Sequence, residues 1–540
     1  MPLEMDSIPK EIELTEEQLS ELIQRLDENR LRQEDREMIK GLLRAHAWLA
    51  KKLQEKELTY KSLLRSLYGK RTESSRNILK NVEKDASTQS AERPPPAEKS
   101  SRQSSGHGRR AASEYPAARR IVCTHPEIRP GMTCPECRRG PVYKLEDPGV
   151  FLRFKARPPI DGTVFLRERL RCSSCGCVLT APLPKGVPSV TWDESAKSMA
   201  AVLRYGAGMP HHRIEKLQGQ LGIPISDATL FTLSEQVADA GLSVYRLLLN
   251  MAPQGGLFHA DDTGARILAL MSQPPPKDRT GIFTTAVISK VQEHEICLFF
   301  TGRKHAGENL TEILRQRQRQ CDRPILMADA ASRNFPKTLD AILAKCLTHA
   351  RRHFVDVYEG FPQEVTHVIQ ELAIVYRNDH EAHQLELSPL ERLAFHQERS
   401  APVMERLQKW AQALIDEKKV EPNSSLGKAI QYLENHWDGL TRFLHIPGAP
   451  ISNDIAERLL KRAVLHRKNS MFYLTEHGAA VGDILMSLIQ TAVKAGANPF
   501  DYLTQLQRHR SEAHARADLW LPWNYTATLA AIQIRAKPAA

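Results

Sequence analysis

Apolar residues recur along this chain in two rhythms, and the changes from one to the other mark out its parts. From Leu14 to about Leu67 there is no proline, and Leu, Glu, Lys, Arg and Gln dominate. With Ile39 as a heptad a position, the a residues are Ile39, His46, Leu53, Tyr60 and Leu67, and the d residues are Leu42, Leu49, Lys56 and Leu63. His46 and Lys56 interrupt this seam, as polar residues do where register or oligomer number is specified. The stretch reads either as a self-associating coiled coil or as one amphipathic helix packed on the protein's own body. Trp192 to Leu249 is again helical in rhythm, and MPHHRIEKLQGQLGIPISDATLFTL within it has the cadence of helix, short turn, helix. Such a pair could enter a major groove, with Ser226, Asp227 and Thr229 near the start of the second helix, or could simply be a packing unit.

Strand-like runs then follow. Leu257 to Thr263 reads as a strand ending in acid and flows on through Gly264 to Ile267–Leu270, and Ile282–Ile288 and Glu295–Phe300 come next. A helical stretch at Glu308–Gln318 leads to Pro324–Ala328, a continuous apolar run of the kind buried on both faces, with Asp329 at its C-terminal end. A further helix and a short strand-like run at Lys345–His349 complete the series. Helical patterns at Val365–Tyr376, Leu387–Leu414 and Leu426–Phe443 precede Ile451–Ser470, ISNDIAERLLKRAVLHRKNS. That last segment predicts a helix capped at Asn453 or Asp454, with an apolar face at Ile455, Leu459, Leu460, Ala463 and Val464.

Composition narrows the classes. The chain has 540 residues, 41% hydrophobic and 26% charged, as expected of a soluble protein of several domains. No apolar run is long enough to cross a bilayer, and the acidic start MPLEMDSIPKEIELTEE does not read as a signal peptide, which predicts no membrane partner and a cytoplasmic location. The net charge of +11 favours a polyanionic partner, nucleic acid first. The segment 76–122 is rich in Ser, Pro, Gly and Arg and reads as a basic flexible linker.

Nine cysteines, mostly clustered, argue for metal binding over disulfides. Cys134-Pro-Glu-Cys137 and Cys172-Ser-Ser-Cys175 are two knuckles whose four thiolates predict a closed, structural Zn²⁺ site, with Val150–Leu170 supplying the strand of a zinc ribbon. Cys123, His125 and Cys177 are spare ligands.

The acids carry the chemistry. Three strands, a helix, a strand, a helix and a strand, followed by a late helix bearing Glu457, is the order of an RNase H-like (retroviral-integrase-like) core. Asp261 falls on the first strand, Asp329 at the end of the fourth, and Glu457 on the late helix. Three converging carboxylates repel unless cations neutralise them. Two Mg²⁺ (or Mn²⁺) ions suit such oxygen ligands and an in-line phosphoryl displacement. Asp262 is the alternative first acid, but neighbouring strand residues point to opposite faces, so Asp261 is preferred. Glu457 at the head of a basic helix also fits plain charge–dipole placement.

Beyond these readings, HADDTGARIL, PILMADAA, CLTHARRHFVD, SNDIAERLLKRAVLHRKNSMF and GDILMSLIQTAVKAGANPFDYL resemble, in order, the successive blocks of the IS66-family bacterial insertion-sequence transposases. SLYGKR at 66–71 and LPWN at 521–524 match as well. The resemblance implies a DDE transposase that binds insertion-sequence ends and catalyses DNA cleavage and strand transfer with Asp261, Asp329 and Glu457. The family usually reads DET where this chain has Asp261-Asp262-Thr263, and Asn-Asn where it has Asn453-Asp454.

The expected organisation is a helical, coiled-coil arm (1–75), a linker (76–122), a zinc-binding domain (123–190), a helix-turn-helix-like module (191–256), a catalytic domain (257–500) with a helical insertion at about 354–445, and a C-terminal segment (501–540). Expected partners are double-stranded DNA (element terminal inverted repeats and target), a second copy or more through the coiled coil, and accessory proteins of the same element. Arg458, Lys461 and Arg462, beside Glu457, and Arg351 and Arg352, after the last core strand, are the expected DNA-binding side chains. The alternatives are a catalytically inactive DNA-binding regulator and an RNase H-like nuclease without joining activity.

Overall fold

A computed structural model of the chain describes residues 178–273, 281–336 and 340–536 without a break, most of 158–175, and scattered positions between 25 and 143. Met1–Ala91 and Glu92–Ala540 form two separate compact units. In the first, Asp35 accepts from the Arg32 backbone N–H at 2.9 Å and pairs with Arg25 at 3.4 Å. The expected heptad seam from Leu42 to Leu67 lies outside the described residues, as do nearly all of the linker and Cys123, His125, Cys134, Cys137, Cys172 and Cys177.

What surrounds the knuckles is described. Thr133 bridges Pro141 across the first, and β1 (Arg169–Arg171) pairs antiparallel with β2 (Val178–Thr180) across the second. Within 158–170 only Arg169 and Leu170 are in a strand, so the described part of the expected ribbon strand is shorter than its alternating pattern suggested. Cys175 is exposed.

Three helices follow: α1 (Glu194–Ala201), continuing as a π-turn over Val202–Gly206, α2 (His211–Gln220) and α3 (Asp227–Met251). Each start has a local cause. Asp193 accepts from Ala196 N at 2.7 Å ahead of α1, and Ser226 Oγ accepts from Thr229 N at 3.3 Å ahead of α3. Between α2 and α3, Gly222 takes φ +80°, a left-handed conformation that ends a helix at little cost only for glycine. Leu230, Leu233, Val237, Val244 and Leu248 recur on one face of α3 and are buried. The later part of that face shares one core with the sheet.

The sheet comprises β3 (Leu257–Gly264), β4 (Phe283–Val291), β5 (His294–Gly302), β6 (Ile325–Ala328) and β7 (Ile342–Lys345) in the order β5-β4-β3-β6-β7. β3–β4 and β4–β5 are antiparallel; β3–β6 and β6–β7 are parallel. All four residues of β6 are buried, which is why that run lacks alternation. Between these strands lie α4 (Leu268–Met271) and α5 (Ala306–Leu314).

Three local expectations change. The run 267–270 is not strand: only Ile267 bridges Tyr473, and the N–H groups of Leu268 and Ala269 then go to the carbonyls of Tyr473 and Leu474, turning the chain into α4. Among the described residues between β6 and β7, the expected helix is a single 3₁₀ turn at Ser332–Asn334. The strand expected at 345–349 ends at Lys345. Cys346 N still donates to Ala328 O, but Leu347 N donates to Ile451 O, and α6 (Leu347–Val355) begins.

The insertion is helical as its pattern indicates: α7 (Pro362–Gln384), α8 (Pro389–Arg399), α9 (Ala401–Asp416), α10 (Ser425–Asn435) and α11 (Trp437–Leu440). Ser400 divides the run read as continuous from 387 to 414. Arg442, just past α11, donates from Nε to Leu343 O at 3.2 Å along the outer side of β7.

The chain ends in α12 (Asp454–Ser470), α13 (Glu476–Lys494), α14 (Pro499–Arg508), α15 (Arg510–Ala515) and α16 (Tyr525–Ala536). On α13, Asp483, Ser487 and Thr491 are one turn apart on a single face. They accept from the N–H groups of Thr301, Phe299 and Cys297 at 2.6, 3.0 and 3.1 Å, the outward-facing donors of edge strand β5. Tyr502, Leu506, Trp520 and Tyr525 join the central core, so residues 501–536 pack as part of it.

Candidate active site

The pleat of β3 sends its two consecutive acids to different places. Asp262 is held by the Ala306 N–H at the head of α5 (3.3 Å) and by Arg333 (3.6 Å). Asp261 lies on the other side, where α12 packs across β3 and β4. In the parallel β3–β6 register His259 pairs with Met327. Two residues beyond each of these stand Asp261, within β3, which runs on to Gly264 rather than ending at the acids, and Asp329, immediately after β6.

The electrostatics at Asp261 involve all of these acids. Burial raises the Asp261 carboxyl from 3.8 to about 7, and the charges of Asp329, Glu457 and Asp262 push the same way against a hydrogen bond from the Asp262 N–H. Asp329 Oδ1 accepts from Ala331 N at 3.0 Å and from the Asn334 amide. Tyr432 of α10 reaches the same region: burial and the Asp329 charge push its phenol up to about 12. The insertion thus contributes a side chain beside Asp329 that sequence pattern did not single out.

Glu457 lies in the first turn of α12. Its Oε1 is buried without a hydrogen-bond partner, 3.5 Å from His349 Nδ1, and its Oε2 is 3.9 Å from the Arg352 guanidinium. Among the described residues, Cys346, His349 and Glu457 form the group of three whose potential ligand atoms all lie within 4.8 Å of one another. The three acids are joined by their field rather than by that spacing.

Two sets of contacts fix α12. At its start Asn453 is wholly buried, yet its side chain does not cap the helix as expected. Instead Nδ2 donates to Ala260 O at 2.9 Å, Oδ1 meets His259 Nδ1 at 3.2 Å, and the backbone N–H donates to Cys346 Sγ at 3.1 Å. Burial lowers His259 to about 4, so the ring is neutral near pH 7 and its Nδ1–H is the donor. At the other end Arg467 donates to Thr263 Oγ1 (2.8 Å) and Gly264 O (2.9 Å), while Arg204 bonds the His466 ring and Ser470. Burial and the Arg204 charge hold His466 neutral, lowered to about 2, with its ring stacked on Tyr473 at 4.1 Å. His259, Arg204 and His466 were missed by sequence reasoning, and Asn453 was read only as a helix cap; two histidines beside apolar runs were the only signal for the rest.

The basic residues divide. Arg458, Lys461 and Arg462 are exposed on α12, and Arg462 also donates to Gly206 O at 3.3 Å. Arg351 and Arg352 are on α6 rather than after a strand, half-buried, with Arg351 5.8 Å from the centre of the Tyr376 ring.

Residues 189–481, which hold all three acids, match the model of a family described as Transposase IS66 family. The chain belongs to the IS66 transposase family. It is 38% identical over 190 residues to Uncharacterized protein y4jD of Sinorhizobium fredii (strain NBRC 101917 / NGR234), covering 34% of this chain and 36% of that one. Uncharacterized protein y4qI of the same organism is 28% identical over 187 residues, covering 34% of each. The chain therefore spans about a third of the length of these two relatives (36% and 34%). Uncharacterized protein y4hP, also from that organism, is 26% identical over 442 residues, 75% of each chain. Among the described residues no helix is long and apolar enough to cross a membrane.

Proposed function

We propose that this IS66-family chain is a DDE transposase that cleaves the ends of its element and joins them to target DNA, with Asp261, Asp329 and Glu457 as its catalytic acids. One observation carries the reading: Asp261, on the central strand, is held near neutrality by burial and by the other two acids, which come from a neighbouring strand and a distant helix. The sheet order, with the first strand central and the second antiparallel to its neighbours, supports the reading of an RNase H-like core.

The donor set suits hard divalent cations, because all three side chains offer carboxylate oxygens and their mutual repulsion at Asp261 is opposed only by a hydrogen bond from the Asp262 N–H. Mg²⁺ held by Asp261, Asp329 and Glu457 would supply activation of a nucleophilic oxygen and stabilisation of the leaving one. The protein's own part is placement. Asn453 and Arg467 hold α12 against β3, so Glu457 is presented from a braced helix. Ala331 N and Asn334 orient Asp329. Arg458, Lys461 and Arg462, exposed on the same helix, hold DNA phosphates, with Arg351 and Arg352 nearer the acids. In the same proposal the cysteine knuckles hold a structural Zn²⁺, α2 and α3 serve end recognition, and the arm pairs copies.

The test incubates purified full-length protein with linear DNA carrying the element's terminal inverted repeats, a target plasmid and Mg²⁺. Joined 3′ ends are expected, and Asp261→Ala, Asp329→Ala and Glu457→Ala should each abolish them while DNA binding persists. Full joining by any one of these variants overturns the triad. Binding without cleavage would identify a regulator, and cleavage without joining a nuclease.

A further inference from the structure

Glu457 faces two sets of neighbours. On one side are the acids of the sheet. On the other, Cys346 and His349 bring a thiol and an imidazole, and the three ligand atoms lie within 4.8 Å of one another. Two of these atoms, His349 Nδ1 and Glu457 Oε1, are buried, make no hydrogen bond and face each other as an ion-pair contact at 3.5 Å. A protonated imidazole would satisfy this pair, and a divalent cation between the two atoms would satisfy both while also engaging the Cys346 sulfur. The separation is close to the roughly 3.5 Å between ligand atoms on a tetrahedral zinc with bonds of about 2.0–2.3 Å.

The local backbone supports the thiolate such an ion requires. Cys346 immediately precedes α6, and the N–H groups of Asn453 and His349 both stabilise negative sulfur, although burial outweighs them in the metal-free protein. The Cys346-Leu-Thr-His349 spacing places thiol and imidazole one turn apart at the head of that helix. Sulfur, nitrogen and one carboxylate oxygen form a borderline-soft set, which favours Zn²⁺ over Mg²⁺ and leaves a fourth position for water.

We infer that Cys346, His349 and Glu457 form a second metal site, selective for thiophilic divalent ions of the Zn²⁺ class, and that its occupation takes Glu457 from Asp261 and Asp329. The regulatory half rests on the proposed transposase reading; the binding half does not. Zinc held through Oε1 fixes the Glu457 carboxylate toward Cys346 and His349, so occupation of this site competes with its presentation to Asp261 and Asp329 and opposes Mg²⁺-dependent joining.

Two measurements on the full-length protein test this. In the first, the metal-free chain is titrated with Co²⁺, whose tetrahedral thiolate complexes absorb in the near ultraviolet and visible. Wild type should bind one equivalent more than Cys346→Ser or His349→Ala, with a matching loss of absorption in the variants. The cysteine knuckles are common to all three proteins and cancel in the difference. Equal stoichiometry and equal spectra would overturn the site. In the second, joining in excess Mg²⁺ is followed as Zn²⁺ is added. Cys346→Ser keeps an acceptor for Asn453 N and should need at least tenfold more zinc for half-inhibition. Equal sensitivity would overturn the regulatory half. Failure of both proteins to join DNA with Mg²⁺ alone would count against the transposase reading, and the cobalt titration would still decide the site.

Discussion

Asn453 Nδ2 donates to the carbonyl of Ala260 over 2.9 Å, so the residue that precedes α12 is bonded to the residue that precedes Asp261. This bond sets the distance between the helix and the strand that carry two of the proposed catalytic acids. Asn453→Leu keeps the volume and removes the donor, leaving the Ala260 carbonyl and the His259 N–H without partners. The expected cost is about 1–3 kcal/mol in chemical denaturation, typical of a buried polar group left unsatisfied. Joining should fall far more than DNA affinity, since the change displaces Glu457 and not the basic face. Unchanged stability and activity would remove Asn453 from this role.

The elevated Asp261 carboxyl gives a pH signature. In the unfolded chain the group titrates near 3.8, and in the folded, metal-free protein near 7. Between those values the folded state holds the extra proton, so this contribution to stability is fully present below pH 3.8 and is lost as pH rises to 7. Mg²⁺ should counter the loss, raising Tm more at pH 8 than at pH 6. In Asp261→Asn most of that difference should disappear. Thermal melts at the two pH values, with and without Mg²⁺, check it.

Arg458, Lys461 and Arg462 are exposed along α12, and their replacement together by Ala should weaken DNA binding without unfolding the protein. If all three meet phosphates, the slope of log affinity against log salt should become shallower by about 2.7. Binding isotherms over a salt series measure this directly, and an unchanged slope would place the DNA elsewhere.

On α13, Ser487 Oγ accepts from Phe299 N at 3.0 Å in the buried core. Ser487→Ala strands that donor and should cost about 1–3 kcal/mol. Thr491→Ser retains the hydroxyl that serves Cys297 and should cost clearly less. Urea titrations of the two variants test whether the stripe of polar side chains supports the strand.

Much of the sheet was legible because its strands are short apolar runs, and pleating alone separated Asp261 from Asp262. Asp329 could be read as a strand-end residue and Glu457 as a helix-head residue from local pattern, whereas the strand carrying Asp261 runs on to Gly264, pairing with β4. What could not be read were contacts fixed by pairing across the chain. Run 267–270 resembles a strand until Tyr473, about two hundred residues later, takes its register. Residues 345–349 look extended, yet Leu347 N goes to Ile451 O and starts a helix. Asn453 looked like a cap because asparagine commonly caps, but its side chain is used by Ala260 and His259. Cys346 and His349 were visible as a spacing within one sequence block. Their meeting with Glu457 depends on how α6 and α12 cross, which no local pattern encodes.

The row of side chains that α13 lays along β5 bears on how copies of the chain can associate. The alternate amides at Cys297, Phe299 and Thr301 would otherwise invite another strand, and all three already have acceptors in the same molecule. On the opposite border Arg442 occupies the Leu343 carbonyl. The sheet is therefore closed to a neighbour's backbone along β5 and covered at Leu343 on β7. Under the proposed function, copies assembled on DNA would then meet through side-chain surfaces rather than through an extension of β5, and such surfaces part again without breaking a sheet.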